Sequence, residues 1–209
     1  MERSKEYETE QESFWAGEFG DHYSRRNVGE NLLASYIRFF SKVLSRTHGI
    51  QTALEFGSNV GLNLMAIYRL LPNTKMSAIE INPTAVKELK NLGFLEEIFH
   101  MSIFEFRPMK AYDLCLSCGV AIHIHPDKLL SYYKLLYDSS RRYILISEYY
   151  SPTPVNVTYR GHEDVLFKRD FCGEIMDLYP DLTLIDYGFV YRRDPNFPLD
   201  DTNWFLLGK

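Results

Sequence analysis

Two histidines, His123 and His125, are the residues of this sequence best suited to acid–base chemistry. They follow the apolar stretch "YDLCLSC" (112–118), and in an extended chain side chains two positions apart point the same way. A histidine with a pKa near neutrality can take the proton of a hydroxyl or an amine. The spacing therefore predicts a catalytic base at His123 or His125. Glu148 and His162 are further catalytic candidates.

A metal site and a plain structural role are the rival interpretations of the two histidines. A metal site needs a third ligand, and residues 162–164 are the only candidates, so we predict no metal. The three cysteines are too few for a disulfide framework. Cys115 and Cys118 would diverge from a strand, because positions three apart point to opposite faces.

The stretch "ALEFGSNVGLNL" (53–64) indicates a buried strand, a turn and a helix start. Gly57 permits a backbone angle or a close approach that a Cβ would obstruct, and Gly61 lets the helix pack tightly against the strand. Asn59 stands where dinucleotide-binding proteins usually have glycine, which argues against NAD and FAD. A plain connection with incidental glycines is the alternative.

Carboxylates follow the next two predicted strands. Glu80 lies 25 residues after Glu55 and can accept two hydrogen bonds from a ribose diol. In "HMSIFEF" (100–106), Ser102, Ile103 and Glu105 are suited to an adenine slot. The three acids at the ends of three strands predict a nucleoside site.

Two further segments carry aromatic and basic residues. "EYYSPTPVNVTYRGHEDVLFKRDF" (148–171) is predicted to be a pocket wall with four substrate-binding candidates. These are Tyr149, Tyr159, Arg160 and Lys168. "FWAGEFGDHYSRRN" (14–27), with Trp15, Phe19 and Tyr23, is predicted to be a lid over the cofactor.

Alternating strands and helices must position these residues. Strands are predicted at 52–56, 75–80, 97–102, 112–118, 142–150, 182–191 and 202–209. Helices are predicted at 31–45, 62–71, 83–93, 127–140 and 167–179. This order is typical of an α/β fold with helices on both faces of a mostly parallel sheet. Ligands of such sheets bind beyond the carboxyl ends of the strands.

Composition limits the class of protein. With 209 residues and 45% hydrophobic residues, we expect a single domain, 1–209. It would comprise an N-terminal cap and helix (1–48), a cofactor-binding core (49–150) and a substrate loop with C-terminal strands (151–209). A net charge of -5 predicts neither a nucleic acid nor a membrane partner. The charged N-terminus is unlike a signal peptide, so we expect a cytoplasmic protein of undetermined oligomeric state.

The segments "LEFGSNVG", "AIEINPTA", "HMSIFEF" and "YDLCLSCGVAIHI" resemble class I S-adenosylmethionine-dependent methyltransferases. The resemblance implies a three-layer Rossmann-like methyltransferase fold with a seven-stranded sheet whose last strand is antiparallel. It also implies S-adenosyl-L-methionine as the cofactor, held by the glycine turn, the acid after the second strand, the residues after the third strand and the lid. The residues at these places are Glu55, Gly57, Ser58, Asn59, Gly61, Glu80, Ile81, Ser102, Ile103 and Trp15.

A closer resemblance covers nearly the whole chain. "GVAIHIHPDKL", "EYYSPTPVNVTYRGHEDVLFKRDF" and "DYGFVYRRDPNFPLDDTNWFLL" resemble the pseudaminic acid biosynthesis-associated methyltransferases. This implies methyl transfer to an oxygen or nitrogen of a small sugar-type substrate: a nonulosonic acid, an amino-sugar precursor or a sugar nucleotide. An NAD-dependent oxidoreductase and a non-catalytic nucleotide-binding module are the alternatives.

Overall fold

The computed structural model describes residues 7–26 and 29–209. Residues 1–6, which begin the stretch judged unlike a signal peptide, lie outside the described residues, as do residues 27–28 at the end of the predicted lid. Within the described ranges, no helix has both the length and the apolar character needed to cross a membrane.

Seven strands form one sheet in the order β3–β2–β1–β4–β5–β9–β8. Their bounds are β1 Thr52–Phe56, β2 Lys75–Glu80, β3 Leu95–His100, β4 Tyr112–Cys118, β5 Ser140–Glu148, β8 Thr183–Phe189 and β9 Asn203–Gly208. Strands β1 to β5 pair in parallel, whereas β9 is antiparallel to both of its neighbours. The predicted mostly parallel sheet with an antiparallel last strand is confirmed. A two-stranded ladder, β6 Val155–Asn156 with β7 Phe167–Lys168, lies outside it.

Helices cover both faces of the sheet. Their bounds are α1 Glu10–Ala16, α2 Glu18–Arg26, α3 Glu30–Leu44, α4 Leu62–Leu70, α5 Pro83–Asn91, α6 Leu129–Ser139 and α7 Phe171–Leu178. One apolar cluster joins α3, α4 and α5 to one face of the sheet, and the other joins α6 and α7 to the opposite face. Because side chains alternate along a strand, neighbouring residues such as Ala53 and Leu54 enter different clusters. The three-layer architecture is confirmed.

The strand ends differ from the sequence predictions where partner strands set the register. β3 covers 95–100 rather than 97–102, because its pairing with β2 shifts between Met76 and Ser77. Residues 167–168, predicted as the start of a helix, pair with 155–156 instead. The helix begins after Asp170, whose side chain accepts a hydrogen bond from the backbone N–H of Gly173 at 2.8 Å.

The carboxyl ends of β1, β2 and β4 meet at one edge of the sheet. Phe56 at the end of β1 lies opposite Ile79 of β2 on one side and Ser117 of β4 on the other. The chain order of the strands reverses at β1, which opens a crevice between the loops that follow β1 and β4.

Candidate active site

A cavity of about 160 Å³ occupies this crevice. Its wall combines the turn after β1, the ends of β2 and β4, the loop after β3, and helices α1 and α2. Eight of the ten predicted cofactor-binding residues lie on it. These are Gly57, Ser58, Asn59, Glu80, Ile81, Ser102, Ile103 and Trp15.

The glycines of the turn after β1 are required by the packing of the protein itself. Gly57 has φ of 66°, and a Cβ there would lie 2.7 Å from Cγ2 of Val120. Gly61 has φ of 84°, and its Cβ would lie 2.8 Å from side-chain atoms of Leu89 and Leu92. Gly61 therefore allows close packing against α5 and the residue after it, and it is not on the cavity wall.

Glu80 ties the end of β2 to this turn. Its carboxylate accepts hydrogen bonds from the backbone N–H of Asn59 at 2.6 Å and of Asn82 at 2.7 Å. Burial raises the pKa of Glu80, although these hydrogen bonds act in the opposite direction. Glu80 lies on the cavity wall, and its contact with a ribose stays a prediction.

Glu55 lies behind the cavity wall rather than on it. Its Oε1 accepts a hydrogen bond from Nδ2 of Asn63 at 2.6 Å, whereas its Oε2 and Asn63 Oδ1 are buried with no hydrogen-bond partner among the described residues. Burial raises the pKa of Glu55 to about 8. Two buried oxygen atoms therefore lack a hydrogen-bond partner, and one of them, Asn63 Oδ1, belongs to a residue on the wall. Sequence analysis missed Asn63, although its position in the first turn of α4 was a usable signal.

Helices α1 and α2 close the cavity through contacts with the loops after three strands. The hydroxyl of Ser24 donates to Asn59 Oδ1 at 2.7 Å, in the turn after β1. After β2, Nδ2 of Asn82 donates to the carbonyl of Trp15 at 3.2 Å and to the carboxylate of Asp21 at 3.0 Å. The segment predicted to be a lid thus lies over the cavity.

The loop after β3 meets the same lid at Ser102. The hydroxyl of Ser102 donates to the carboxylate of Glu12 and accepts from the backbone N–H of Phe104. Glu105 was predicted to line an adenine slot, but its carboxylate accepts from the N–H of Ser102 and so caps the short helical turn 103–105. The adenine-slot expectation therefore applies to Ser102 and Ile103, with Phe104 beside them on the wall.

Trp15 of the lid packs against two aromatic rings, and its indole N–H has no hydrogen-bond partner among the described residues. Its ring centroid lies 4.5 Å from that of His123 and 5.2 Å from that of Tyr23. Its indole Nε1 is buried with no partner among the described residues. Trp15 itself lines the cavity.

His123 is the catalytic candidate that the structure places best. Its Nδ1 lies 2.6 Å from the carbonyl oxygen of Val165, which can only accept, so Nδ1 carries the proton and Nε2 presents a lone pair. The near-neutral pKa expected of His123 is wrong: burial lowers its pKa to about 4, so the ring is neutral at pH 7 and is a weaker base than an exposed histidine.

The extended conformation predicted for "HIH" is wrong. Residues 121–123 form a short helical turn, and the His123 ring contacts those of Trp15 and Tyr159. His125 also lines the cavity, but its ring contacts Phe167, and its Nδ1 accepts from the N–H of Asp127 at 3.3 Å.

The other two catalytic candidates do not face the cavity. Glu148 is buried and accepts hydrogen bonds from Ser117 Oγ at 2.8 Å and from the N–H groups of Val120 and Ala121 at 3.0 Å each. It therefore positions the loop that carries His123. His162 is exposed and packs against the ring of Phe14 at 4.9 Å.

A second cavity of about 100 Å³ adjoins the first. Six residues line both, so the two cavities share a junction, which consists of Tyr23, Tyr36, Asn63, Cys118, Gly119 and His123. Gly119 has φ of 67°, and nothing lies within 4 Å of the place where its Cβ would be. Sequence analysis missed this glycine, although it directly follows β4.

The predicted substrate-binding residues divide into two pairs. Tyr149 and Tyr159 line the second cavity. Arg160 and Lys168 do not line either cavity; the guanidinium of Arg160 lies 5.6 Å from the centroid of the Tyr159 ring, and the ammonium of Lys168 lies 5.2 Å from that of Tyr149.

The cysteines diverge, as expected for a strand. Cys115 belongs to the apolar cluster on the α6–α7 face, and Cys118 packs against the cluster on the opposite face. In the ranges 7–26 and 29–209, no three His, Cys, Asp or Glu residues are arranged to hold a metal ion.

Comparisons with known proteins show similarity at the level of the fold. No protein-family model and no functionally curated protein matches the sequence. The structure resembles a Leishmania major S-adenosylmethionine-dependent methyltransferase (TM-score 0.71, 15% identity, 95% of this chain and 86% of that chain). It also resembles the Burkholderia thailandensis 1,6-didemethyltoxoflavin-N1-methyltransferase, solved with S-adenosylhomocysteine (TM-score 0.70, 15% identity, 95% of this chain and 86% of that chain). A third similar structure is that of the Synechocystis magnesium protoporphyrin IX methyltransferase with bound S-adenosylmethionine (TM-score 0.67, 12% identity, 98% of this chain and 100% of that chain).

Proposed function

We propose that this protein is an S-adenosylmethionine-dependent methyltransferase that acts on a small polar acceptor. The observation that carries the proposal is the cavity at the carboxyl ends of β1, β2 and β4, where the glycine turn and Glu80 meet. The fold is shared with methyltransferases solved with this cofactor or its product.

The residues on the wall fit the cofactor. Glu80 would accept from the ribose hydroxyls, and Ser102 with Ile103 would frame the adenine. Glu55 Oε2 and Asn63 Oδ1 are buried oxygen atoms without hydrogen-bond partners, which suits the α-ammonium of the methionine part once Glu55 has lost its proton. The described lining residues include no Lys or Arg, so no cation there opposes a sulfonium.

In the proposed methyl transfer, His123 would accept the proton that the acceptor loses. The bound cofactor supplies an electrophilic methyl group on a positively charged sulfur. The hydrogen bond to Val165 orients the His123 ring and leaves Nε2 free to take the proton of an acceptor hydroxyl at the junction of the cavities. Trp15 and Tyr23 of the lid lie beside this junction, and the remaining contribution of the protein is orientation of the acceptor.

The acceptor is proposed to be a sugar of the nonulosonic acid pathway, on the support of the resemblance in sequence alone. The choice between oxygen and nitrogen as the acceptor atom stays open. A cytoplasmic location and the lack of a nucleic acid partner likewise stay predictions.

Calorimetric titration with S-adenosylhomocysteine and, separately, with NAD tests the cofactor. We expect heat with S-adenosylhomocysteine only, and an affinity at least tenfold lower in Glu80→Gln. Glu88→Gln is the matched control, because Glu88 is exposed on α5 and outside both cavities. Heat with NAD alone would instead support the oxidoreductase alternative.

Observed methyl transfer would exclude the alternative of a non-catalytic nucleotide-binding module. With labelled cofactor and a panel of amino-sugar intermediates, we expect label transfer that is lost in His123→Ala while S-adenosylhomocysteine still binds. Unchanged turnover in His123→Ala would remove His123 from the mechanism.

A further inference from the structure

We propose that the second cavity is the acceptor site and that it selects acceptors bearing an amine or hydroxyls over those bearing a carboxylate or phosphate. This inference rests on the proposed methyl transfer, because it assigns the acceptor to the cavity next to that of the cofactor. Its specificity determinant is Asp200.

The position of the second cavity makes it the acceptor site. Its boundary with the first cavity includes His123, whose Nε2 bears a lone pair, and Gly119, which has no Cβ to narrow the passage. An acceptor held there would have its reacting atom next to both the base and the cofactor cavity.

The charges on the walls are all negative. Asp200 is the one charged residue among those described that line the second cavity, and Glu12 and Glu80 line the first. No Lys or Arg from the described ranges lines either cavity. An anionic acceptor would therefore meet negative charge and no cationic partner on these walls, whereas an ammonium group gains a partner in Asp200. Because Asp200 is exposed, water screens this attraction, and its effect on binding is modest.

The remaining wall suits a hydroxylated ring. Ser147 and Thr202 lie on it, and their hydroxyls hydrogen-bond each other at 3.2 Å, so each has further capacity toward a ligand. The rings of Tyr149 and Tyr159 offer flat apolar surfaces to the C–H face of a sugar. Burial, followed by the charge of Asp200, raises the pKa of Tyr149.

The basic residues expected to recognise an anion do not contribute to this wall. Arg160 is exposed beside the Tyr159 ring, and Lys168 lies over the Tyr149 ring. Of the acceptors compatible with the proposed function, an amino sugar fits this wall best, and a free sugar acid or a sugar nucleotide fits it poorly.

The test uses three sugars with the same pyranose ring and different charge: glucosamine, N-acetylglucosamine and glucuronic acid. Each is titrated into the full-length protein saturated with S-adenosylhomocysteine, and binding is followed by saturation-transfer NMR. We expect glucosamine to bind at least tenfold more tightly than glucuronic acid. Asp200→Asn should weaken glucosamine binding about threefold to fivefold, as expected for an exposed ion pair, and leave N-acetylglucosamine within about twofold.

Asp177→Asn is the matched control, because Asp177 is exposed on α7 and does not line either cavity. The inference is overturned if glucuronic acid binds as tightly as glucosamine, if none of the three sugars binds, or if the two variants behave alike. A failure of S-adenosylhomocysteine to bind in the first step would contradict the proposed function instead, so the two failures are distinguishable.

Discussion

Replacing Glu55 by glutamine is expected to abolish a proton release that accompanies cofactor binding. The pKa of Glu55 is raised to about 8 by burial, and its Oε2 has no donor among the described residues. At pH 7 a group with this pKa is protonated in roughly nine of ten molecules. An ammonium bound at Asn63, which hydrogen-bonds Glu55 from the cavity wall, would stabilise the carboxylate and lower that pKa.

The size of the proton release follows from the pKa of about 8 for Glu55. Binding at pH 7 should release about 0.9 proton, and deprotonating Glu55 costs about 1.4 kcal/mol of binding free energy. The affinity for S-adenosylhomocysteine should therefore rise roughly tenfold from pH 6 to pH 7. Glu55→Gln keeps an oxygen that can accept from Asn63 and carries no titrating proton, so its affinity should vary little over this range.

Calorimetry in buffers of different ionisation enthalpy measures this release directly. The slope of observed enthalpy against buffer enthalpy should correspond to about 0.9 proton in the wild type and to nearly zero in Glu55→Gln. Glu88→Gln, exposed and remote from the cavity, should behave like the wild type. Tight binding by the wild type with a slope of zero would refute the argument that Glu55 is protonated in the free protein.

Three further predictions concern the base, the junction and the pH dependence of stability. Because the pKa of His123 is lowered to about 4, turnover should not show a titration with a midpoint near 6.5, and a pH–rate profile with such a midpoint would contradict the lowered pKa of His123. Gly119→Ala adds backbone strain at φ of 67° and places a methyl group at the junction of the cavities. The initial rate of methyl transfer should fall at least tenfold, while the affinity for S-adenosylhomocysteine, measured by titration, changes less than threefold. Equal losses of rate and of affinity would contradict this prediction. Burial raises the pKa of Glu55 to about 8 and that of Glu148 to about 7. Their contribution to folding stability is complete below about pH 4.5 and is lost as the pH rises through these two values. The melting temperature without cofactor should therefore fall by several degrees from pH 6.5 to 8.5, and an unchanged melting temperature would contradict this prediction.

The fold was predictable because its signals are local. Strands β1, β2 and β4 begin and end where the apolar runs do, and α5 begins at Pro83 after the capping residue Asn82. The bounds of β3 were not predictable, because the shift in its pairing with β2 decides them. Pairing across a sheet depends on residues distant in sequence, which a local pattern does not contain.

The candidate site was predictable in its residue types and only partly in their roles. Glu80 faces the cavity as the strand ending at residue 80 requires. Glu148 has the same local appearance, yet three backbone N–H groups and a serine hydroxyl enclose its carboxylate, so it organises a loop instead of facing a ligand.

The sequence by itself determined the seven strands of the main sheet and most of the helices that cover it. It also placed the glycine turn, Glu80 and the histidines at strand ends, because these depend on side-chain period and turn chemistry within a few residues. Only the tertiary structure decided which nitrogen of His123 is free, since that depends on Val165, 42 positions later in the chain. It also decided that Asp200 and not Arg160 faces the second cavity. Charge at a site depends on which side chains converge there, and convergence is a property of the packed chain.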